Sequence, residues 1–191
     1  MRWDTLFDDL QAQLEREETA ESAAVRAEEE RQRRSRLRLG GRFESLLRDR
    51  TPVRLRLCTG DQLVGVLRGR GADWVSGELD GSAPSLTFLV PHGAIASVAV
   101  EPSAAVRSSA VGSQPNDVAE RFVFALVLRD LARRRAPVEI VTTAGRFTGT
   151  IDLVGADHLD IAVHDRAVAR RGDAVTSVAI VPLGSIVLVT C

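Results

Sequence analysis

The chain has 191 residues, 45% of them hydrophobic but only 4% aromatic and none tyrosine, so any core is built from Val, Leu, Ile and Ala. Its formal net charge of −1, with 25 basic residues that are all arginine, excludes a global attraction to nucleic acid or to an anionic membrane and leaves only local patches for such binding. That length holds one ordinary domain or two small ones. Cys58 lies in an apolar strand and Cys191 at the end of the chain, outside any metal spacing, and both read as reduced thiols of a cytoplasmic protein. The acidic start lacks the apolar stretch of a signal peptide, and no apolar run approaches the roughly 20 residues that span a bilayer.

Residues 3–38 read as a long helix. Trp3, Phe7, Leu10 and Leu14 step by four, three and four residues onto one stripe, which continues into Glu17 and Glu21 and so fades. Glu28, Glu29 and Glu30 precede Arg31, Arg33, Arg34, Arg36 and Arg38, and acid before base suits the helix dipole. Such a segment is either a solvated helix with an apolar head or a docking helix. In the second case Trp3, Leu6, Phe7, Leu10 and Leu14 enter a groove on a partner or on the chain's own body. Asp4, Asp8 and Asp9 flank that head where an interfacial helix would carry Lys or Arg, which argues against a membrane anchor.

Gly40-Gly41 is expected to break this helix, and Arg42–Arg50 to form a short second one presenting Phe43, Leu46 and Leu47. Pro52 opens an alternating run, Val53, Leu55 and Leu57 against Arg54, Arg56 and Cys58, the period-two pattern of a half-buried strand. Thr59–Gln62 turns around Gly60, and Leu63–Leu67 returns with Gly65 as a bend or bulge. Asp73-Trp74-Val75 opens a third strand, with Trp74 as a core plug. Leu86–Val90 and Ala94–Val100 follow around Pro91. Glu101–Asn116 is aperiodic and reads as a linker. Asp117 and Glu120 resemble a capping box that starts a helix near Val118. Its Phe122–Leu128 stretch is seven consecutive apolar residues, suited to a sandwiched helix or an oligomer interface.

The pattern then repeats. Val181–Val189 (V-P-L-G-S-I-V-L-V) matches Val90–Val98 (V-P-H-G-A-I-A-S-V) 91 residues earlier. Val138-Glu-Ile140-Val-Thr142 matches Val53-Arg-Leu55-Arg-Leu57, Gly145 and Gly149 match Gly60 and Gly65, and Gly155-Ala-Asp157-His158-Leu159 matches Gly71-Ala-Asp73-Trp74-Val75. A collinear series of this kind indicates internal duplication.

Two blocks in each copy, an alternating strand with a Gly turn and a Gly-bearing return (V-R-L-R-L-C-T-G-D-Q-L-V-G and V-E-I-V-T-T-A-G-R-F-T-G) and the V-P-x-G-x-I-x-x-V segment, resemble the Sm fold. Val90–Pro102 in particular is similar to the closing segment of the bacterial Sm-like RNA chaperone. The opening M-R-W-D-x-L-F-x-D-L resembles the start of a family of small actinobacterial proteins. The fold this implies is mainly β with helices: a charged N-terminal helix over residues 1–39, an Sm-like barrel over 40–102, a linker over 103–116 and a second barrel with its leading helix over 117–191. Each barrel has five strands behind one helix, with a pair of generic SH3-like barrels as the alternative. The family's RNA contacts do not carry over. Pro91-His92-Gly93 and Pro182-Leu183-Gly184 replace its basic or aromatic grip, and Asp73-Trp74 and Asp157-His158 replace its polar amide.

Catalytic and metal-ligating patterns are missing. His92, His158 and His164 have no metal spacing, and Asp157, His158, Asp160 and His164 read as the polar ends of one strand. Gly69-Arg70-Gly71 reads as a β-turn rather than a phosphate loop, and no nucleophile motif is found. The expectation is a non-enzymatic protein-interaction, adaptor or assembly module. It needs no cofactor, metal or small-molecule substrate, and its N-terminal helix docks a protein partner or mediates self-association. The alternative is an RNA- or DNA-binding regulator using Arg31, Arg33, Arg34, Arg36 and Arg38 with Arg133, Arg134 and Arg135.

Overall fold

The structure is a computed structural model that describes residues 4–81, 86–110, 118–165 and 175–191; in the first helix side chains are described at Gln13, Thr19 and from Glu21 onward, and that of Glu120 is outside the described set. The chain forms two units, Met1–Arg38 and Leu39–Cys191.

In the first unit, helix α1 spans Asp4–Ser35. From Glu21 to Ser35 its side chains are exposed on all sides except at half-buried Glu30 and Arg33. A helix that buries no face depends on pairs one turn apart. Arg31 meets Glu28, while Arg33 and Arg34 share Glu30 at 2.6 and 2.7 Å. Hydrogen bonds from Arg33 and Arg34 lower the Glu30 carboxyl to a pKa of about 2. The helix ends at Arg36–Arg38, ahead of the glycines expected to break it; Gly40 and Gly41 lie inside the first turn of α2 (Leu39–Arg48).

The second unit continues from α2 through β1 (Pro52–Leu57), β2 (Gln62–Arg70), β3 (Trp74–Leu79), β4 (Thr87–Pro91) and β5 (Ile95–Ala99) to helix α3 (Pro102–Ala110). Helix α4 (Phe124–Arg133) then leads β6 (Pro137–Thr142), β7 (Arg146–Val154), β8 (His158–Val163), β9 (Ser177–Pro182) and β10 (Ile186–Thr190). The duplication is visible element by element: α2 and α4 lie 85 residues apart, as do β1 and β6, and β5 and β10 lie 91 apart. Both helices end alike, with Arg50 and Arg135 at φ of 48° and 51°. The bulge between Leu67 and Gly69 recurs between Ile151 and Leu153. Gly65 and Gly149 are needed for close strand crossing, since a Cβ would sit 2.0 Å from the Glu78 carbonyl oxygen and 1.9 Å from that of Ala162.

The expected pair of separate five-strand barrels is overturned. Among the described residues ten strands form one antiparallel sheet in the order β5-β1-β2-β3-β4-β10-β6-β7-β8-β9. Each half contributes five neighbours in the same internal order, and β4 joins β10 between them. The cores explain why the halves do not part. Val141, Val187 and Leu188 from the second half pack with Phe43, Leu55, Leu57 and Phe88 of the first. In return Trp74 and Leu89 pack with Phe124, Leu128, Ile140 and Ile161. Separating the halves would expose these side chains, each worth roughly 1.5–3 kcal/mol when fully buried.

Two local expectations also change. The stretch read as an aperiodic linker carries α3, whose buried residues Ala104 and Ser108 are small and one turn apart. Ser108 Oγ accepts hydrogen bonds from the Arg42 guanidinium of α2. The helix expected near Val118 starts at Phe124, after a single 3-10 turn at Val118–Arg121. Asp117, expected as its cap, lies outside the described residues.

Candidate functional site

The β4–β10 seam joins the two halves of the sheet. Thr87 and Cys191 exchange two backbone hydrogen bonds, each of 3.1 Å, and the ladder continues through Phe88–Thr190 and Leu89–Val189. Beside it the loop between β2 and β3 receives the start of α4. Asp73 Oδ1 accepts a 2.7 Å hydrogen bond from the Phe124 backbone N–H, and the Trp74 indole N–H donates to the Phe122 carbonyl at 2.8 Å. A helix start leaves unpaired N–H groups and a partial positive charge, so a carboxylate supplied from another element caps it. Gly71 lets this loop close: a Cβ there would stand 2.1 Å from both the Phe122 carbonyl oxygen and the Trp74 indole nitrogen.

The second copy carries the same pieces without the receiver. β9, the counterpart of β4, pairs only with β8 among the described residues. On its outward face Val178 is 58% and Ile180 is 71% exposed, whereas Leu89, at the place of Ile180, is 5% exposed. The loop between β7 and β8 presents Asp157 and His158 where the first copy has Asp73 and Trp74. The Asp157 carboxylate takes a 2.7 Å hydrogen bond from His158 Nδ1, which keeps its pKa below the ordinary carboxylate range. Opposite these features in the sheet order, β5 pairs only with β1 among the described residues. At the N-terminus of α2, Leu39 is 43% exposed, although Phe124, its counterpart in α4, is 5% exposed.

Of the residues singled out in the sequence, Trp3 lies outside the described residues, and Leu6, Phe7, Leu10 and Leu14 lie on the described backbone of α1 with their side chains outside the described set. Arg31, Arg33 and Arg34 are engaged with Glu28 and Glu30, while Arg36 and Arg38 are exposed. Arg133 and Arg134 share Asp130 at 2.5 and 2.7 Å, and the Arg133 hydrogen bond lowers its carboxyl pKa. Arg135 is the left-handed residue that ends α4. Arg31, Arg33, Arg34, Arg133 and Arg134 therefore have acidic partners one turn away along the chain. Trp74 is a core residue, as its scarcity among aromatics suggested.

The histidines do not converge. His164 is buried against Thr150 Oγ1, with 2.8 Å between Nε2 and the hydroxyl, and its Nδ1 bonds the Asp165 carbonyl at 2.9 Å. His92 packs on Phe43 with ring centroids 5.2 Å apart, and burial pushes its imidazole pKa down. Among the described residues no group of His, Cys, Asp and Glu could hold a metal ion, and no helix is long and apolar enough to cross a membrane. Cys58 and Cys191 are unbridged and exposed.

The β9 edge and the Asp157-His158 loop were missed as a site. The signal lay in comparing copies: Ile180 occupies the place of Leu89, and the two sit in opposite environments. No protein-family model matches the chain, and no curated protein matches it.

Proposed function

We propose that this chain is a non-enzymatic protein-interaction module that binds by accepting an extended strand on the β9 edge. The observation that carries this reading is the outward pair Val178 and Ile180 on a strand unpaired on one side among the described residues. A bare apolar edge is an aggregation hazard that soluble proteins blunt with charge, proline or cover; Val178–Ile180 carries no charge or proline, and no strand covers it among the described residues. Strand addition meets both needs of such an edge: main-chain hydrogen bonds supply affinity, and alternate side chains supply specificity. The internal seam supports the idea, because β4 already accepts β10 in this manner.

The test uses the full chain and a fluorescent synthetic peptide copying residues 185–191, the segment that β4 accepts. Saturable binding is expected, weakened about tenfold or more in a Val178→Arg, Ile180→Arg double variant whose melting is unchanged. Equal binding to both proteins, or none to the parent chain, would overturn the reading.

A further inference from the structure

We infer that the occupant of the β9 edge is β5 of a second copy of this chain, joined head to tail in the register of the internal β4–β10 seam. This rests on the strand-accepting reading of β9 and names its partner. The chain leaves two sheet edges unpaired among its described residues, and they are the repeat counterparts of the two strands that pair inside it: β9 corresponds to β4, and β5 to β10. Placing one chain after another therefore repeats a contact the chain already makes.

The register follows from the 91-residue repeat. The hydrogen-bonded pair Thr87–Cys191 becomes Val178 with Val100 of the second copy, Phe88–Thr190 becomes Ala179 with Ala99, and Leu89–Val189 becomes Ile180 with Val98. The strands are set alike on their inner sides. Val98 pairs with Leu55 as Val189 pairs with Ile140, and His158 pairs with Pro182 as Trp74 pairs with Pro91.

Two exposed residues and one half-buried residue point the same way. Leu89, Trp74 and Phe124 share one buried group at the internal seam. Their counterparts are Ile180, His158 and Leu39, of which the first two lie at one end of the sheet order and the third in α2, packed on β2 of the other half. Brought together between copies, they rebuild that group. The polar half of the seam is present too. Asp157 has the carboxylate with which Asp73 caps α4, and the α2 N-terminus offers the N–H of Leu39 at the place of Phe124. His158 stands at the place of Trp74, its Nδ1 hydrogen-bonded to Asp157. The contact joins unlike surfaces, so it closes into a ring or extends as a filament, and either leaves no apolar β9 edge inside the assembly.

The experiment is the weight-average mass of the full chain, by sedimentation equilibrium, from low to high micromolar concentration. The internal seam is helped by a covalent tether with an effective concentration on the order of millimolar, which the contact between copies lacks. The mass is expected to rise from 20.7 kDa to at least twice that value as concentration increases. Ile180→Arg blocks the β9 end, and Ser97→Arg places a charge on β5 at the counterpart of buried Leu188. Each variant alone is expected to stay at one chain, and an equimolar mixture to form a two-chain species and nothing larger. That complementation also shows that both variants are folded. A parent chain that stays monomeric throughout while the residue 185–191 peptide still binds it would overturn the second-copy inference and leave the strand-accepting edge standing. Self-association undiminished in both variants would overturn it as well.

Discussion

The matched positions Leu89 and Ile180 allow the seam to be tested inside one molecule. Leu89 is almost fully enclosed by Trp74, Phe124 and their neighbours, so Leu89→Ala removes the transfer gain of a buried leucine and leaves a cavity. Such truncations cost about 2–5 kcal/mol. At roughly 3 kcal/mol, and at about 2–4 °C per kcal/mol for a unit of this size, the melting temperature falls by roughly 6–12 °C. Ile180→Ala makes a comparable truncation at the repeat-equivalent place, where most of the side chain already faces solvent. Its cost is a few tenths of a kcal/mol of strand preference and partial burial, roughly 0.5 kcal/mol in all. Thermal melts followed by circular dichroism, run dilute enough to hold the chain monomeric, measure both. Equal losses in the two variants would refute the reasoning, because Ile180 would then be enclosed by its own chain.

Two further predictions concern the seam and its surroundings. Asp73→Ala removes the carboxylate that caps α4 from another element and is expected to destabilise the chain by about 1–2 kcal/mol, whereas Asp73→Asn, also a good capping residue, loses less; chemical denaturation of both separates hydrogen bond from charge. His92 carries a buried Nε2 without a hydrogen-bond partner among the described residues, and desolvation, aided by Arg70 and opposed by Asp73 and a backbone bond at Trp74, lowers its pKa. A base held neutral in the fold takes up fewer protons than in the unfolded chain. Its stabilisation is therefore complete above the ordinary histidine value near ~6.5 and declines as pH falls below it. His92→Leu, which copies Leu183 of the second half, is expected to flatten the unfolding midpoint through that window; an unchanged pH slope would show that His92 is not its source.

The elements were legible wherever a face alternates. Val53, Leu55 and Leu57 are buried and Arg54 and Arg56 exposed, as a period-two reading requires. The repeat spacing also placed counterpart elements, down to the glycines where strands cross. Helix α3 escaped because it buries only Ala104 and Ser108, too small to register as an apolar stripe. The apolar run Phe122–Leu128, read as a sandwiched helix or an oligomer interface, is not one helix covered on all sides within the chain. Phe122 and Val123 precede α4, Leu126 faces solvent, and Phe124 and Leu128 alone are fully buried. The seam was unreadable from either copy alone, since matching motifs show that two strands are equivalent without showing which edges meet. The difference between the motifs held the clue. Ile186–Val189 is apolar at every position, the mark of a strand covered on both faces, whereas Ala96 and Ser97 dilute the same places in β5.

That dilution is itself informative about how the two ends of the sheet differ. β10 contributes Val187 and Leu188 to the core of the other half, but β5 offers Ala96 and Ser97 at the corresponding places. The β9 edge, by contrast, keeps Ile180 where β4 has Leu89. A tethered strand needs little apolar surface to stay paired, because its effective concentration is high, yet in this chain the tethered strand is the richer one. The seam inside the chain is thus built as permanent structure, and its interlocked cores make the halves inseparable. The contact between β9 and a second β5 buries less apolar side chain on one side. It is reversible for that reason, and responsive to protein concentration in a way the internal seam is not. An outer strand as apolar as β10 would close the same contact at any concentration and, before closing, would expose two hydrophobic edges instead of one.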